Sequence, residues 1–434
     1  MKNKYFTRLT LFFEISNFTQ ILIIMILMGY IFKSSAESNL DSHELVTFDL
    51  LGNSKYPAIC YSGHRGDTRS IEETPTVEQT KSDLRILATM GFKWIRTYNT
   101  TLYPHTERIL KAIDELKKES DFEMYVMVGA WIGCKNPESL EVDHAKEDIL
   151  QNSTEINGAI ELASRYPDIV RIIAVGNEAM VHWQPHHVSS SIILKWVEVL
   201  DNARTNGILS KNILITCSDN WAAFGGEEKY RSESLIRLID KLDFISLHTY
   251  AFHDTYYNKN LKWDPLSSEK LFSVEEQIHS SVKRAINEQK TQLSKVSDYI
   301  LSLGLNKQIH IGETGWATLD NSYYGENGTR AAHEYTAKVF YDELRLWIKN
   351  KSMTCFYFEA FDEPWKSEGT AGSEGHFGLF TVSGEAKYAI WDIFDSGVFD
   401  GLDRDGNLIK KTHSGDINKL KLNMFIPRYL KFSP

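Results

Sequence analysis

The chain of 434 residues is 42% hydrophobic and 24% charged, which is enough apolar material for a large core and one sizeable domain with extensions. Its formal net charge of −10, with no long run of Lys or Arg, excludes the positive surface a nucleic-acid partner requires. Aromatic residues are plentiful and many fall in segments that read as loops, where ring faces can serve a neutral ligand.

Residues 1–36 carry Lys2, Lys4 and Arg8 ahead of an apolar run from Ile21 to Phe32, closed by the small residues Ser34, Ser35 and Ala36. This pattern predicts an export signal, and so a periplasmic, cell-surface or secreted protein. The run is short for a membrane span, and an uncleaved membrane anchor is the alternative. Residues 37–55 read as a polar linker. The four cysteines (Cys60, Cys134, Cys217, Cys355) lack metal-ligand spacing and read as buried thiols, with a disulfide open to any pair on adjacent strands.

From residue 56 strand-like runs and helical patterns alternate. Short apolar runs predict strands at Pro57 to Tyr61, Lys93 to Tyr98, Met124 to Val128, Ile172 to Val175, Ile213 to Thr216, Phe244 to Leu247, Ile309 to Ile311 and Thr354 to Phe358. Amphipathic patterns between them predict helices near 77–90, 107–118, 156–167, 188–205, 232–241, 274–303, 330–349 and 385–395. Eight short buried strands, each followed by a helix, predict an α/β fold of the closed (β/α)8 TIM-barrel type over residues 56–396. An open doubly wound sheet is disfavoured, because no glycine-rich phosphate loop follows any strand. Residues 397–434 fall outside the repeat and have no assigned role. Within them Asp403-Arg404-Asp405-Gly406 resembles part of a calcium loop but lacks the later glutamate, so a polar turn is the better reading.

In such a barrel the C-terminal strand ends line one pocket, so Glu178, after strand four, and Glu313, after strand seven, are expected to face one another. Two facing carboxyls suit glycoside hydrolysis, in which one protonates the leaving group while the other attacks or activates water. Asn177 sets an amide beside Glu178, and Trp316 and Tyr250 offer rings for a sugar.

Three phrases carry a resemblance. Val175-Gly176-Asn177-Glu178, then Gly312-Glu313-Thr314-Gly315-Trp316, then the stretch from Tyr357 to Lys366 followed by Glu374 to Phe380, resemble in order the motifs of family 17 of the glycoside hydrolases, the β-1,3-glucanases, and the microbial branch in particular. The resemblance implies Glu178 as acid/base and Glu313 as nucleophile of a retaining endo-β-1,3-glucanase acting on laminarin-type glucans, with carboxyls about 5 Å apart. It further implies that Tyr250 bonds the nucleophile and that Glu363, Lys366 and Glu374 form a polar cluster at the eighth strand that supports the nucleophile and binds the sugar, a structural ion-pair network being the alternative. Tyr61, Arg96, Tyr98 and Trp131 are expected along the sugar subsites, with Trp183 a weaker candidate. No metal, no organic cofactor and a monomeric state are expected. His182, His186 and His187 read as loop histidines rather than a zinc site. The chain departs from the family at Ala317, where proline is usual. A β-1,3-glucanosyltransferase is the alternative on the same scaffold, and a glucan-binding protein without catalysis is the remoter one.

Overall fold

The computed structural model describes residues 49–140, 142–367 and 372–430. Its centre is a closed barrel of eight parallel strands in sequence order. They are β1 (Ala58–Cys60), β2 (Trp94–Arg96), β3 (Tyr125–Ala130), β4 (Val170–Asn177), β5 (Leu214–Asn220), β6 (Ile245–His248), β7 (Ile309–Gly315) and β8 (Cys355–Phe358). The barrel closes where Ala58 and Ile59 pair with Phe356 and Tyr357 of β8. Nearly every strand residue is buried, as a sheet covered on both faces demands.

The outer layer is built from α1 (Val77–Thr89), α2 (His105–Glu119), α3 (Ile149–Arg165), α4 (Ser190–Thr205), α5 (Glu233–Lys241), α6 (Ala251–Tyr257), α7 (Val274–Ser302) and α8 (Glu334–Lys351). Local chemistry fixes their starts: Thr76 with Gln79, and Ser273 with Glu276, form reciprocal capping boxes at α1 and α7. Helix α6 falls within the aromatic run after strand six, which shows no apolar period of 3.6 and reads as loop in the sequence.

Several strands run further than their apolar stretches suggest. β4 extends to Asn177, β5 to Asn220 and β7 to Gly315, so Glu313 lies inside a strand rather than past its end. Register shifts between Ala174 and Asn177, between Leu247 and His248, and between Ile311 and Thr314 bend these strands at the mouth of the barrel.

The N-terminal edge of the expected domain needs correction. Leu50 and Leu51 are buried and the Gly52 N–H donates to Thr354 Oγ1 at 2.7 Å, so 49–55 pack on the domain instead of forming the end of a linker. The export or anchor segment 1–36 and residues 37–48 lie outside the described residues. After α9 (Trp391–Asp395), the extension forms a hairpin of β9 (Asp403–Arg404) and β10 (Asn407–Leu408), then α10 (Ile417–Lys421). Asp405 and Gly406 at its tip have φ of 52° and 79°, the left-handed pair of a two-residue hairpin turn. Arg404 is fully buried and reaches Asp83 of α1 at 3.0 Å, which sews the extension to the barrel. The four cysteines are buried and free, including Cys60 and Cys355 on the adjacent β1 and β8.

Candidate active site

Glu313 sits in β7, one residue after a glycine that packing requires. A Cβ on Gly312 would lie 2.1 Å from Ser246 Oγ of the neighbouring β6. Three donors converge on the Glu313 carboxylate. Arg96 Nη1 of β2 donates to Oε2 at 2.6 Å, Tyr98 OH to the same oxygen at 2.8 Å, and Tyr250 OH to Oε1 at 2.6 Å. Burial pushes this carboxyl up, but the positive field of His248 and Arg96 and the two tyrosine hydroxyls outweigh it and hold it down at about 2. Burial, with Glu313 adding to it, drives both tyrosine hydroxyls well up, so they remain donors. Arg96 is itself enclosed and also donates to Gly312 O at 2.9 Å and to Asn177 Oδ1 at 2.6 Å. One guanidinium thus ties the end of β4 to that of β7.

Glu178 follows β4 in a left-handed conformation, φ 48°, just after Gly176 at φ 78°. A non-glycine residue there is strained, and such strain concentrates where a side chain must be aimed. The turn is pinned by Glu178 N–H donating to Ser218 O at 3.0 Å. Its carboxylate receives Gln184 Nε2 at 2.9 Å on Oε2, and His248 Nδ1 lies 3.2 Å from Oε1. Asp219 lies behind it, fully buried, taking the N–H of Met180 and of Asn220 at 2.7 Å each. Burial, with the Glu178 charge added, pushes the Asp219 carboxyl well up. His248 pairs with Glu313 across β6 and β7, so it stands between the two glutamates.

The structure therefore gathers Glu178, Glu313, Asn177, Arg96, Tyr98 and Tyr250 at one strand-end pocket. Trp316 is corrected. It is fully buried, donates Nε1 to Ala331 O at 2.8 Å and packs on Phe252, Trp263 and Phe340. Because β7 continues through Gly315, a residue three places after Glu313 points to the opposite face. Tyr61 is corrected likewise: its hydroxyl turns to Asp83 of α1 at 2.8 Å, away from the pocket.

The expected cluster at β8 is only partly formed. Lys366 Nζ bridges Glu359 at 2.5 Å and Glu363 at 3.0 Å. Glu363 is 1% exposed and accepts from Ser62 Oγ, the His64 N–H and Trp365 Nε1, so it is a buried structural anchor rather than a sugar contact. Burial opposes its charge, yet Lys366 and His64 hold it at about 2. Burial drives Glu359 well up. Glu374 stands apart, half exposed, with His253 Nε2 3.6 Å away. Trp131 lies after β3 with its ring against His186 at 4.4 Å, and Trp183 is exposed on the loop after β4. His144 and His187 stack at 3.5 Å, and among the described residues no group of three or more His, Cys, Asp or Glu is placed to hold a metal ion.

Sequence reasoning missed His248, Gln184 and Asp219, which touch or underlie Glu178. His248 was open to inference: it is two places before Tyr250 and shares its face.

The model of the BtgE/BtgC glycoside hydrolase domain matches residues 58–378. An endo-laminarinase from Formosa Hel1_33_131 is 48% identical and superimposes with a TM-score of 0.85, covering 89% of this chain and 98% of that one. A family 17 β-1,3-glucanosyltransferase from Rhizomucor miehei, 16% identical, covers 77% of this chain and 96% of its own with a TM-score of 0.53, a likeness of fold. A glucan 1,3-beta-glucosidase from Arthroderma benhamiae is 37% identical over 92 residues, 20% of this chain and 28% of that protein. A probable glucan endo-1,3-beta-glucosidase from Aspergillus clavatus is 23% identical over 310 residues, 69% of this chain and 36% of its own. The matched stretches thus span about a third or less of these curated relatives. The family match covers most of the chain, with the first two motifs whole and the third as far as Gly378, and the chain belongs to the BtgE/BtgC glycoside hydrolase domain family, within family 17 of the glycoside hydrolases.

Proposed function

We propose that the protein is a retaining endo-β-1,3-glucanase that hydrolyses laminarin-type glucans by double displacement. The observation that carries this reading is the asymmetry of the two glutamates. Glu313 is held ionised by a cation and two hydroxyls, as an attacking carboxylate must be. Glu178 accepts from the Gln184 amide and lies 3.2 Å from His248 Nδ1, and among the described residues no arginine or lysine pairs with it, so the two carboxyls sit in different settings, as an acid/base and a nucleophile must. In this mechanism Glu178 protonates the glycosidic oxygen as Glu313 attacks the anomeric carbon, giving a covalent glycosyl-enzyme. Glu178 then takes a proton from the water that releases the sugar. The substrate class is supported by the endo-laminarinase of 48% identity.

Incubation with laminarin and chromatographic sizing of the products tests the assignment. A ladder of short oligosaccharides is expected from the first minutes. Glucose alone would make the enzyme exo-acting, products longer than the donor would make it a transferase, and no change at all would end the reading. We further propose that residues 1–36 direct export, which N-terminal sequencing of the protein recovered outside the cytoplasm tests by locating a cleavage.

A further inference from the structure

Arg69 differs from most enclosed arginines of this protein, although Arg171 near the start of β4 also has an enclosed Nε without a partner and lies 5.5 Å from the Tyr125 ring centroid. Arg65, Arg96, Arg204 and Arg404 each meet a carboxylate and at least one backbone carbonyl or side-chain amide. The Arg69 guanidinium instead lies between two rings, 4.1 Å from the centroid of Tyr103 and 4.6 Å from that of Trp365. Among the described residues it has no hydrogen-bond acceptor, and its Nε is enclosed without a partner. Glu363, which sets Trp365 in place at 3.0 Å, already accepts from Ser62, His64 and Lys366, and its charge reaches Arg69 through space without a hydrogen bond. A planar fork of donors held by two aromatic faces is ready for an acceptor from outside the chain.

Its place in the barrel says which acceptor. Arg69 follows β1, Tyr103 follows β2 and Trp365 follows β8, the rim facing away from β4, whose end bears Glu178. The group that is protonated departs on the Glu178 side, so this rim faces the sugar units that remain on Glu313. The rim is continuous with the nucleophile. Lys366, next to Trp365, lies over the Phe358 ring at 4.4 Å, and Phe358 meets both Tyr98 and Tyr250, which bond Glu313.

We propose that Arg69, stacked between Tyr103 and Trp365, is a specificity-determining residue that donates to free hydroxyls of a glucosyl unit on the non-reducing side of the cleavage point and sets the preference for longer chains. The proposal rests on the glucanase reading above.

Steady-state kinetics of wild type, R69M and R69K on laminarihexaose and laminaritriose test it. R69M is expected to raise KM for the hexaose about ten-fold, in keeping with loss of hydrogen bonds to a charged group, with a smaller rise for the triose and with kcat and Tm near wild type. R69K, which keeps charge but not the planar fork, should fall between. Unchanged KM for the hexaose in either variant overturns the proposal, as does a fall in kcat equal for both substrates and matched by a fall in Tm, the mark of a structural role. If R69M does not fold, R69K decides by the same criteria. If wild type turns over neither substrate the glucanase reading fails separately, and calorimetric binding of laminarihexaose to wild type and R69K still decides the role of Arg69.

Discussion

Arg96 Nη1 lies 2.6 Å from Glu313 Oε2 in a setting where the arginine is 1% and the glutamate 10% exposed at the side chain. A buried ion pair is weak grounds for stability, since desolvation offsets most of the attraction. It is strong grounds for a functional setting, because the same enclosure makes every donor around the carboxylate count.

The hydroxyls of Tyr98 and Tyr250 should show this in the pH profile. Both bond the ionised form of Glu313, so removing either raises its pKa from about 2. Y98F and Y250F are expected to move the acid limb of kcat/KM on laminarin to higher pH and leave the alkaline limb in place. A profile shifted on neither side would detach these residues from the nucleophile.

Trp316 gives the opposite expectation. Its indole is fully buried and bonded to Ala331 O, so W316F should lower stability by about 1–3 kcal/mol while KM for laminarin stays within two-fold. Thermal unfolding and kinetics on one preparation separate the two effects, and a large KM change at unaltered Tm would return Trp316 to the sugar.

The C-terminal hairpin should be a structural requirement. Arg404 is fully buried, bonds Asp83 at 3.0 Å and stacks 4.0 Å from the Phe361 ring centroid. R404M leaves Asp83 enclosed with one cation fewer, although Arg65 still reaches it at 3.0 Å. Denaturant unfolding is expected to show a loss of about 3 kcal/mol, and a neutral result would mark the hairpin as dispensable.

Acid stability follows from Glu363. Its folded pKa lies below the unfolded value of about 4.3, so its contribution is present above that pH and is lost as pH falls towards 2. E363Q should flatten the decline of stability with pH in that window, read by unfolding at a series of pH values. An unchanged slope would show that other carboxyls govern it.

What could be read in the sequence followed from periodicity. Short buried runs separated by amphipathic helices gave the barrel, and the strand-end rule placed Glu178 and Glu313 in one pocket. The errors at Trp316 and Tyr61 share a cause, for both assume that residues near a strand end face the pocket regardless of parity. β7 runs on to Gly315, which turns Trp316 outward, while Arg96 with Tyr98, and His248 with Tyr250, are two apart and reach the glutamates together. Gln184, Asp219 and the Arg69 stack are assembled from separate loops and strands, and no local pattern announces such meetings.

The central claim is that Glu313 forms a covalent bond to the sugar and that Glu178 assists on the leaving side. A proton NMR time course on laminarihexaose, read before mutarotation, tests it most directly. The account predicts that new reducing ends appear first as the β-anomer. First release of the α-anomer would contradict it, since inversion needs no covalent step and would leave Glu313 to activate water instead.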